Sequence, residues 1–486
     1  MRRAVLTLAA GLLLLAPVAF ARRSFSDTEP LAAKEWYLEA DNAWSFWPTA
    51  PTLAPVKVAV IDSGIDGTHP EFAGRVVAAR SFVGGSPYTD EQGHGTFVAG
   101  EIAANPFNQL GMAGLAFNAQ LLVAKVVAAD GSVPLKAEVA AIRWAADNGA
   151  RVINLSLGGV RDPLNSSLDT YSPLEQAAIG YAYGKGAVVV AAVGNGPQSP
   201  STPWSYADYP AALPHVIGVS AIRQDGSVPA YSNRDAIFVD MTAPGDNIFS
   251  TIPQSLVTAG CADGPYSDCG PAEFRDAIGT SFSAPQVSAA AALILGQDPK
   301  LTPDQVSWLL ERSAADASAA NGCTECLPGR DAYTGWGRLD VQAALTDLTT
   351  GTPLPRPDSY EPNDDAGSFS HALPPLPRTI TATLDYWDDQ IDVYRVNLKK
   401  GQRLFARLTP EQVAATRLAL WRPGTQRVEG LDVDLTSRLV QSTRAGTQER
   451  LAYTARLGGT YYLEAKLIAP AHDAVVYRLS LTRKAR

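Results

Sequence analysis

Cysteine, histidine and methionine are scarce in this chain: its 486 residues include four Cys, five His and three Met. So few cysteines cannot make a disulfide-built scaffold, and a hydrophobic core has to carry the fold. Only one Cys-x-x-Cys is present, Cys323 and Cys326, which argues against a structural zinc site. Positive charge is also short, with Lys+Arg at 40 against Asp+Glu at 49 and a formal net charge of −9. That balance argues against a nucleic-acid or anionic-membrane partner. After the N-terminal segment no apolar run reaches about 18 residues, so no membrane span is expected in the mature chain.

The N-terminal segment itself is distinctive. Arg2-Arg3, an apolar run from Ala4 to Phe20 and the ending Ala19-Phe20-Ala21 read as a secretory signal peptide, residues 1–21, cut after Ala21. Export permits disulfides. The short spacings favour Cys261 with Cys269 and Cys323 with Cys326, although sequence leaves three pairings open.

From Val56 to Gly64 the chain is nearly all apolar and ends in Asp62 and a glycine turn. Such a run is expected of a strand buried on both faces of a parallel sheet, whose catalytic groups collect at the carboxyl ends of the strands. Strand-like and helix-like stretches then alternate: strands at 119–127, 150–158, 186–196 and 215–221, and helices at 133–148, 174–185, 281–296 and 302–313. Alternation at this spacing predicts an α/β fold, a parallel sheet with helices on both faces. Composition changes at the Thr/Pro/Gly segment 350–357. Beyond it, period-two runs such as Tyr394–Leu398 and Leu451–Leu457 predict a smaller all-β sandwich. The expected organisation is a catalytic domain at 22–349, a linker at 350–357 and a sandwich at 358–486.

Three local signals could carry chemistry. Gly279-Thr280-Ser281 runs into an alanine-rich stretch, which puts Ser281 near a helix start, where backbone N–H groups favour developing negative charge. Taken alone, Ser281 is an ordinary helix cap, and Asp62 an ordinary turn residue. A serine hydroxyl needs a base, and the base an orienting carboxylate. Of the histidines, His94 alone sits between glycines at a helix start, in Gly93-His94-Gly95-Thr96; His69, His215, His371 and His472 fall in turns, before a strand, or in the second domain. Asp62, His94 and Ser281, in that order, make one of the known chain orders of a nucleophilic triad. An esterase is disfavoured because Ser281 is not in a G-x-S-x-G turn.

These residues resemble the three catalytic signatures of the subtilisin-like serine peptidases: Val60-Ile61-Asp62-Ser63-Gly64, His94-Gly95-Thr96 with Val98-Ala99-Gly100, and Gly279-Thr280-Ser281 with Ala284-Pro285. Ala192-Val193-Gly194-Asn195 resembles the family's oxyanion segment. The resemblance implies a secreted endopeptidase with protein or peptide substrates, no cofactor required for the chemistry, and a monomeric state. It assigns Asp62, His94 and Ser281 to the triad and Asn195 to the oxyanion. It also places Ser156, Leu157 and Gly158 opposite Ala192, Val193 and Gly194 as walls of the pocket for the side chain before the cut. Both walls are uncharged, so an apolar preference is expected there. Phe97 stands where many relatives have a second histidine. The mature start at Trp36-Tyr37-Leu38 follows Ala21 so closely that no N-terminal pro-domain is expected. A structural calcium is implied at Glu71, Asn108 and the carbonyls of Leu110 and Met112. Asp358 to Asp364 with Asp389 to Tyr394 resembles the bacterial pre-peptidase C-terminal domain, which implies a role in export, targeting or substrate capture. The rival reading is a catalytically silent module that binds proteins through the same fold.

Overall fold

The apolar run at Val56 becomes a strand at the centre of a buried sheet. In a computed structural model, residues 28–484 are described except 45, 48, 258–272, 429–432, 443–447 and 472. The expected signal peptide, His472 and the pair Cys261 and Cys269 lie outside the described residues. The strands of the first sheet are β1 (Val56–Asp62), β2 (Val76–Ser81), β3 (Ala119–Lys125), β4 (Val152–Leu155), β5 (Val188–Ala192), β6 (Val216–Ile222) and β7 (Met241–Pro244). They run parallel in the order β2-β3-β1-β4-β5-β6-β7. The chain lays β2 and then β3 on one side of β1, and from β4 builds outward on the other. The order therefore reverses between β1 and β4, and a crevice opens there outside the carboxyl ends.

Helices α1 (Trp36–Ala40), α2 (His94–Ala103), α3 (Leu135–Asp147), α4 (Pro173–Gly184), α5 (Ala284–Gln297), α6 (Pro303–Arg312) and α7 (Val341–Thr350) complete this part. On one face, α2 and α5 join β1, β3 and β5 in a single apolar core; on the other, α3 and α4 pack over Ile61, Leu122, Ile153 and Val189. Every residue of α5 from Ala284 to Gly296 is buried; its polar Gln286 and Ser288 are hydrogen-bonded through Nε2 and Oγ, and its run of alanines lets neighbouring backbones come close. Helix α6 begins at a capping box, Thr302 with Gln305, followed by Pro303 at its first turn.

Among the described residues, no helix is long and apolar enough to cross a membrane. A short antiparallel pair, β8 (Ile248–Thr251) with β9 (Phe274–Ala277), leads to the serine segment. Further on, β10 (His371–Ala372), β11 (Arg378–Leu384), β12 (Ile391–Leu398), β13 (Arg403–Pro410), β14 (Thr416–Trp421), β15 (Arg438–Gln441), β16 (Glu449–Thr454), β17 (Gly459–Leu467) and β18 (Val475–Lys484) form two sheets, β10-β12-β17-β14-β15 and β11-β18-β13-β16. The two sheets share one buried core that includes Tyr394, Leu404, Leu463 and Leu479. Cys323 and Cys326 are disulfide-bonded in a loop between α6 and α7.

Candidate active site

Asp62 ends β1 at the crevice, with its side chain 3% exposed. Its Oδ1 accepts a hydrogen bond from the Ser63 backbone N–H (2.7 Å), and both carboxylate oxygens face His94 Nδ1, at 2.8 and 2.9 Å. A carboxylate facing Nδ1 with both oxygens calls for a proton there, which leaves Nε2 as the basic nitrogen. Burial of His94 acts to lower its pKa, but the charge of Asp62, the hydrogen bond to it and the charge of Asp90 together raise it above the ordinary imidazole value.

The approach of His94 to Asp62 depends on glycine. Gly93 caps α2 in a left-handed conformation, φ +81°. A Cβ on Gly95 would lie 2.2 Å from the Gly64 carbonyl oxygen, so only glycine lets the first turn of α2 rest on the turn after β1. Asp90, whose part the sequence did not reveal, ties the two together: it accepts from Ser63 Oγ, Gly93 N, Thr96 N and Thr96 Oγ1, while Ser63 Oγ accepts from Gly95 N.

The turn that carries Ser281 reaches this pair through Phe282. The expected helix start at Ser281 is corrected: Thr280–Phe282 form a 3-10 turn, and α5 begins three residues after Ser281, at Ala284. Ser281 Oγ donates to the Ser156 carbonyl at 3.2 Å, and Ser156 Oγ donates to the Ser281 carbonyl at 2.7 Å. Phe282 lies against the His94 ring, centroids 5.4 Å apart, and against Phe97 at 4.5 Å. Phe97 is fully buried and packs on Phe282, which in turn lies against the histidine.

Asn195 follows the turn at Gly194. Its Oδ1 accepts from Thr280 N (3.0 Å) and Thr280 Oγ1 (3.2 Å), which fixes the amide and aims Nδ2 away from Thr280. That nitrogen lies 3.8 Å from where a Cβ on Gly279 would stand. The segments 156–158 and 192–195 thus both meet the turn that carries Ser281, one through Ser156 and the other through Asn195. Between them lies a carboxylate the sequence reading did not place, Asp208, whose N–H donates to the Val193 carbonyl at 2.9 Å.

The expected calcium residues gather away from the crevice. Glu71, fully buried, accepts from Asn108 Nδ2 (2.8 Å), Asn105 N (3.2 Å) and Met112 N (3.4 Å). Asn108 thus turns its amide nitrogen to Glu71, and its Oδ1 accepts from Leu110 N at 2.9 Å. Glu29, missed in the sequence, joins them: it accepts from Gln109 N and Gly111 N. Burial pushes the Glu71 carboxyl up to about 7, and the charge of Glu29 adds to the shift. A Cβ on Gly111 would stand 2.6 Å from Glu71 Oε1, so the loop closes on the carboxylate only as glycine. Glu71 and Glu29 thus bring two carboxylates to the loop at 105–112, but Asn108 presents its amide nitrogen to Glu71, so its oxygen does not join them as the expected ligand set requires.

The model of the subtilase family, Peptidase_S8, matches residues 54–337. Subtilisin DY of Bacillus licheniformis is 37% identical over 292 residues, 60% of this chain and 91% of its own length. Thermitase of Thermoactinomyces vulgaris is 34% identical over 311 residues, 63% of this chain and 93% of its own. Among solved structures, a psychrophilic protease designated S41 superimposes with a TM-score of 0.52 at 29% identity, over 64% of this chain and 98% of that one. Sphericase does so at 0.50 and 30%, over 63% and 98%. These matches cover the parallel sheet and the crevice at β1 and β4, and the chain belongs to the subtilase family of serine endopeptidases.

Proposed function

We propose that Ser281, His94 and Asp62 are the nucleophile, base and orienting carboxylate of a secreted endopeptidase. The observation that carries this is the double contact of Asp62 with His94 Nδ1, made at the point where the Ser281 turn meets the same crevice. Ser281 Oγ attacks the scissile carbonyl, and its proton passes to His94 Nε2 and then to the leaving amine. Asp62 holds the imidazole tautomer and stabilises the imidazolium that forms. Asn195 Nδ2 and the Ser281 N–H supply the oxyanion donors. Loss of one such donor costs about 3–4 kcal/mol, a magnitude measured in a subtilisin and inherited here by kinship.

Ser156–Gly158 and Ala192–Gly194 are the proposed pocket walls. The apolar preference expected from their lack of charge is set aside, because Asp208 lies against Gly194. Calcium, held by Glu71, Glu29 and a turned Asn108 amide with the Leu110 and Met112 carbonyls, would neutralise buried charge and brace the loop, apart from the chemistry. Residues 358–486 are proposed as a separate tail domain of pre-peptidase type, and residues 1–21 as the export signal.

The test is casein hydrolysis by the full secreted chain beside Ser281→Ala, with and without a serine-directed phosphonylating reagent. Activity lost in both cases, with Ser281 as the labelled residue, is expected. Casein cleavage that survives Ser281→Ala would overturn the assignment. Melting the same protein with and without a calcium chelator checks the loop: a lower Tm with chelator is expected, and an unchanged Tm would rule the ion out.

A further inference from the structure

The pocket walls proposed above are joined at their base by one segment. Asp208 N donates to the Val193 carbonyl, and Tyr209 exchanges backbone hydrogen bonds with Gly159 at 2.8 and 2.9 Å. Asp208 is thereby pinned between the two walls. Its carboxylate is laid against the bare backbone of the wall: a Cβ on Gly194, which has φ +94°, would stand 2.1 Å from Asp208 Oδ2. On the other wall, a Cβ on Gly158 would lie 3.5 Å from Asp208 Cβ. Any larger residue at 194 would collide with Oδ2, so only glycine lets the carboxylate lie buried against this wall.

The carboxylate is short of donors. Asp208 is 5% exposed, and its Oδ1 has no hydrogen-bond partner among the described residues. Beside it, Asn233 spends Nδ2 on the Val193 carbonyl (3.1 Å) and on Ser199 Oγ (3.2 Å), leaving its own Oδ1 unpartnered as well. The side-chain cation of this region is used elsewhere: Arg161 Nη1 pairs with Asp235 Oδ2 at 2.9 Å, and the backbone of Arg161 gives Asp208 its one neutral donor. Burial accordingly holds the Asp208 carboxyl up to about 7. Two buried acceptors with no donor are an unmet cost that an incoming donor relieves. Guanidinium and ammonium groups carry several donors and no acceptor, and their bonds to a carboxylate are charge-assisted. An apolar side chain would leave both acceptors without a donor.

We infer that Asp208 selects arginine or lysine as the residue preceding the scissile bond. This rests on the triad and pocket reading above, and it makes Asp208 a specificity-determining residue outside the triad.

The experiment compares kcat/KM on peptide anilides that differ only in that residue, Arg, Lys, Phe or Leu, for the full chain and for Asp208→Asn. Arg and Lys substrates are expected to exceed Phe and Leu by about 100-fold or more, in the range by which polar pockets reject ligands that leave their groups unpaired. Asp208→Asn is expected to collapse that ratio, mainly through slower cleavage of the Arg and Lys substrates, while Ser281 is still labelled by the phosphonylating reagent. Benzamidine, an amidinium probe, is expected to inhibit the unaltered chain competitively, and this measurement stands even if the variant fails to fold. Faster cleavage after Phe or Leu, with no competition by benzamidine, would overturn the inference and leave the peptidase reading intact. If folded protein cleaves no peptide and no casein and Ser281 is not labelled, the triad reading fails and this inference falls with it.

Discussion

At His94 two physical effects oppose each other, and the geometry decides between them. Burial disfavours the imidazolium, while Asp62 at 2.8 Å and the more distant Asp90 favour it; the net pKa is raised. A base must be neutral to accept a proton, so kcat/KM should rise with pH to a plateau, with its midpoint above the ordinary histidine value of about 6.5. A pH profile of kcat/KM on one anilide checks this, and a midpoint below 6.5 would show that burial outweighs Asp62. The stability contribution runs the other way. A folded pKa raised above the unfolded one gives stabilisation that is complete below the unfolded value and is lost as pH rises through the folded value. With His94 as the proposed base, the enzyme would therefore gain its base over the same pH window in which it loses the His94–Asp62 ion pair. Asp62 and His94 were both legible in the sequence because each sits beside a glycine turn that local pattern reveals. Asp208 was not: in Ala207-Asp208-Tyr209-Pro210 it reads as a plain turn residue, and only packing against Gly194 gives it a role.

Among the elements, the central strands were readable and the flanking ones were not, for one reason. Strands β1, β3, β5 and β6 are buried on both faces, so they appear as unbroken apolar runs. Strand β2 at the sheet edge is half exposed and reads as a mixed segment, and β7 is too short at four residues to show a period. The helix carrying Ser281 was expected three residues early because a 3-10 turn and a helix start share the same sequence signals. The contact of α2 with the turn after β1 is the element-level feature that makes the site. Gly95→Ala would drive a methyl group to within 2.2 Å of the Gly64 carbonyl oxygen, an atom that cannot move without displacing Asp62. Overpacking of this kind costs about 1–3 kcal/mol. A displacement of about 1 Å between catalytic groups costs about 100-fold in rate. The variant should therefore melt earlier and lose about 100-fold in kcat/KM. Retention of activity within about threefold would show that the helix can back away without harm.

Over the whole molecule, the sheet carrying the site and the C-terminal sheets are held together by buried charge. His215, at φ +62°, stacks on Tyr183 with centroids 3.8 Å apart, and its Nε2 faces Asp364 at 3.0 Å and Glu361 at 3.4 Å. Arg330 lies 3.9 Å over the Trp387 ring, and Arg312 Nη2 is 3.5 Å from Asp385. Pro362 packs beside Gly180 and Gly184 of α4, where an added Cβ would sit 3.7 Å from its ring in ordinary contact. Around these contacts the carboxylates are pushed upward. Burial, then the charge of Asp388, takes Asp240 to about 8; burial, partly offset by Arg312, leaves Glu311 at about 7; and Asp388 itself is raised well above the usual range by burial and by Glu311. His215 is raised too: burial lowers it, but Asp364 and Glu361 more than reverse that. All four shifts have one sign. The charge of Asp388 on Asp240 and that of Asp385 on Glu311 act across the joint, so docking raises both carboxyls and binds protons, and a contact that binds protons weakens as pH rises. The window for Asp240 and Glu311 opens near the free carboxylate range of about 4 and closes near their docked values. The tail should therefore be held more tightly at pH 6 than at pH 9. In the Ser281→Ala protein, which cannot cut itself, trace protease should nick the segment 350–357 faster at pH 9, after correction for the protease's own rate on denatured chain. Equal or slower nicking at pH 9 would mean that Arg312 and Arg330 already balance these carboxylates in their charged forms, and that the joint is closed by packing alone.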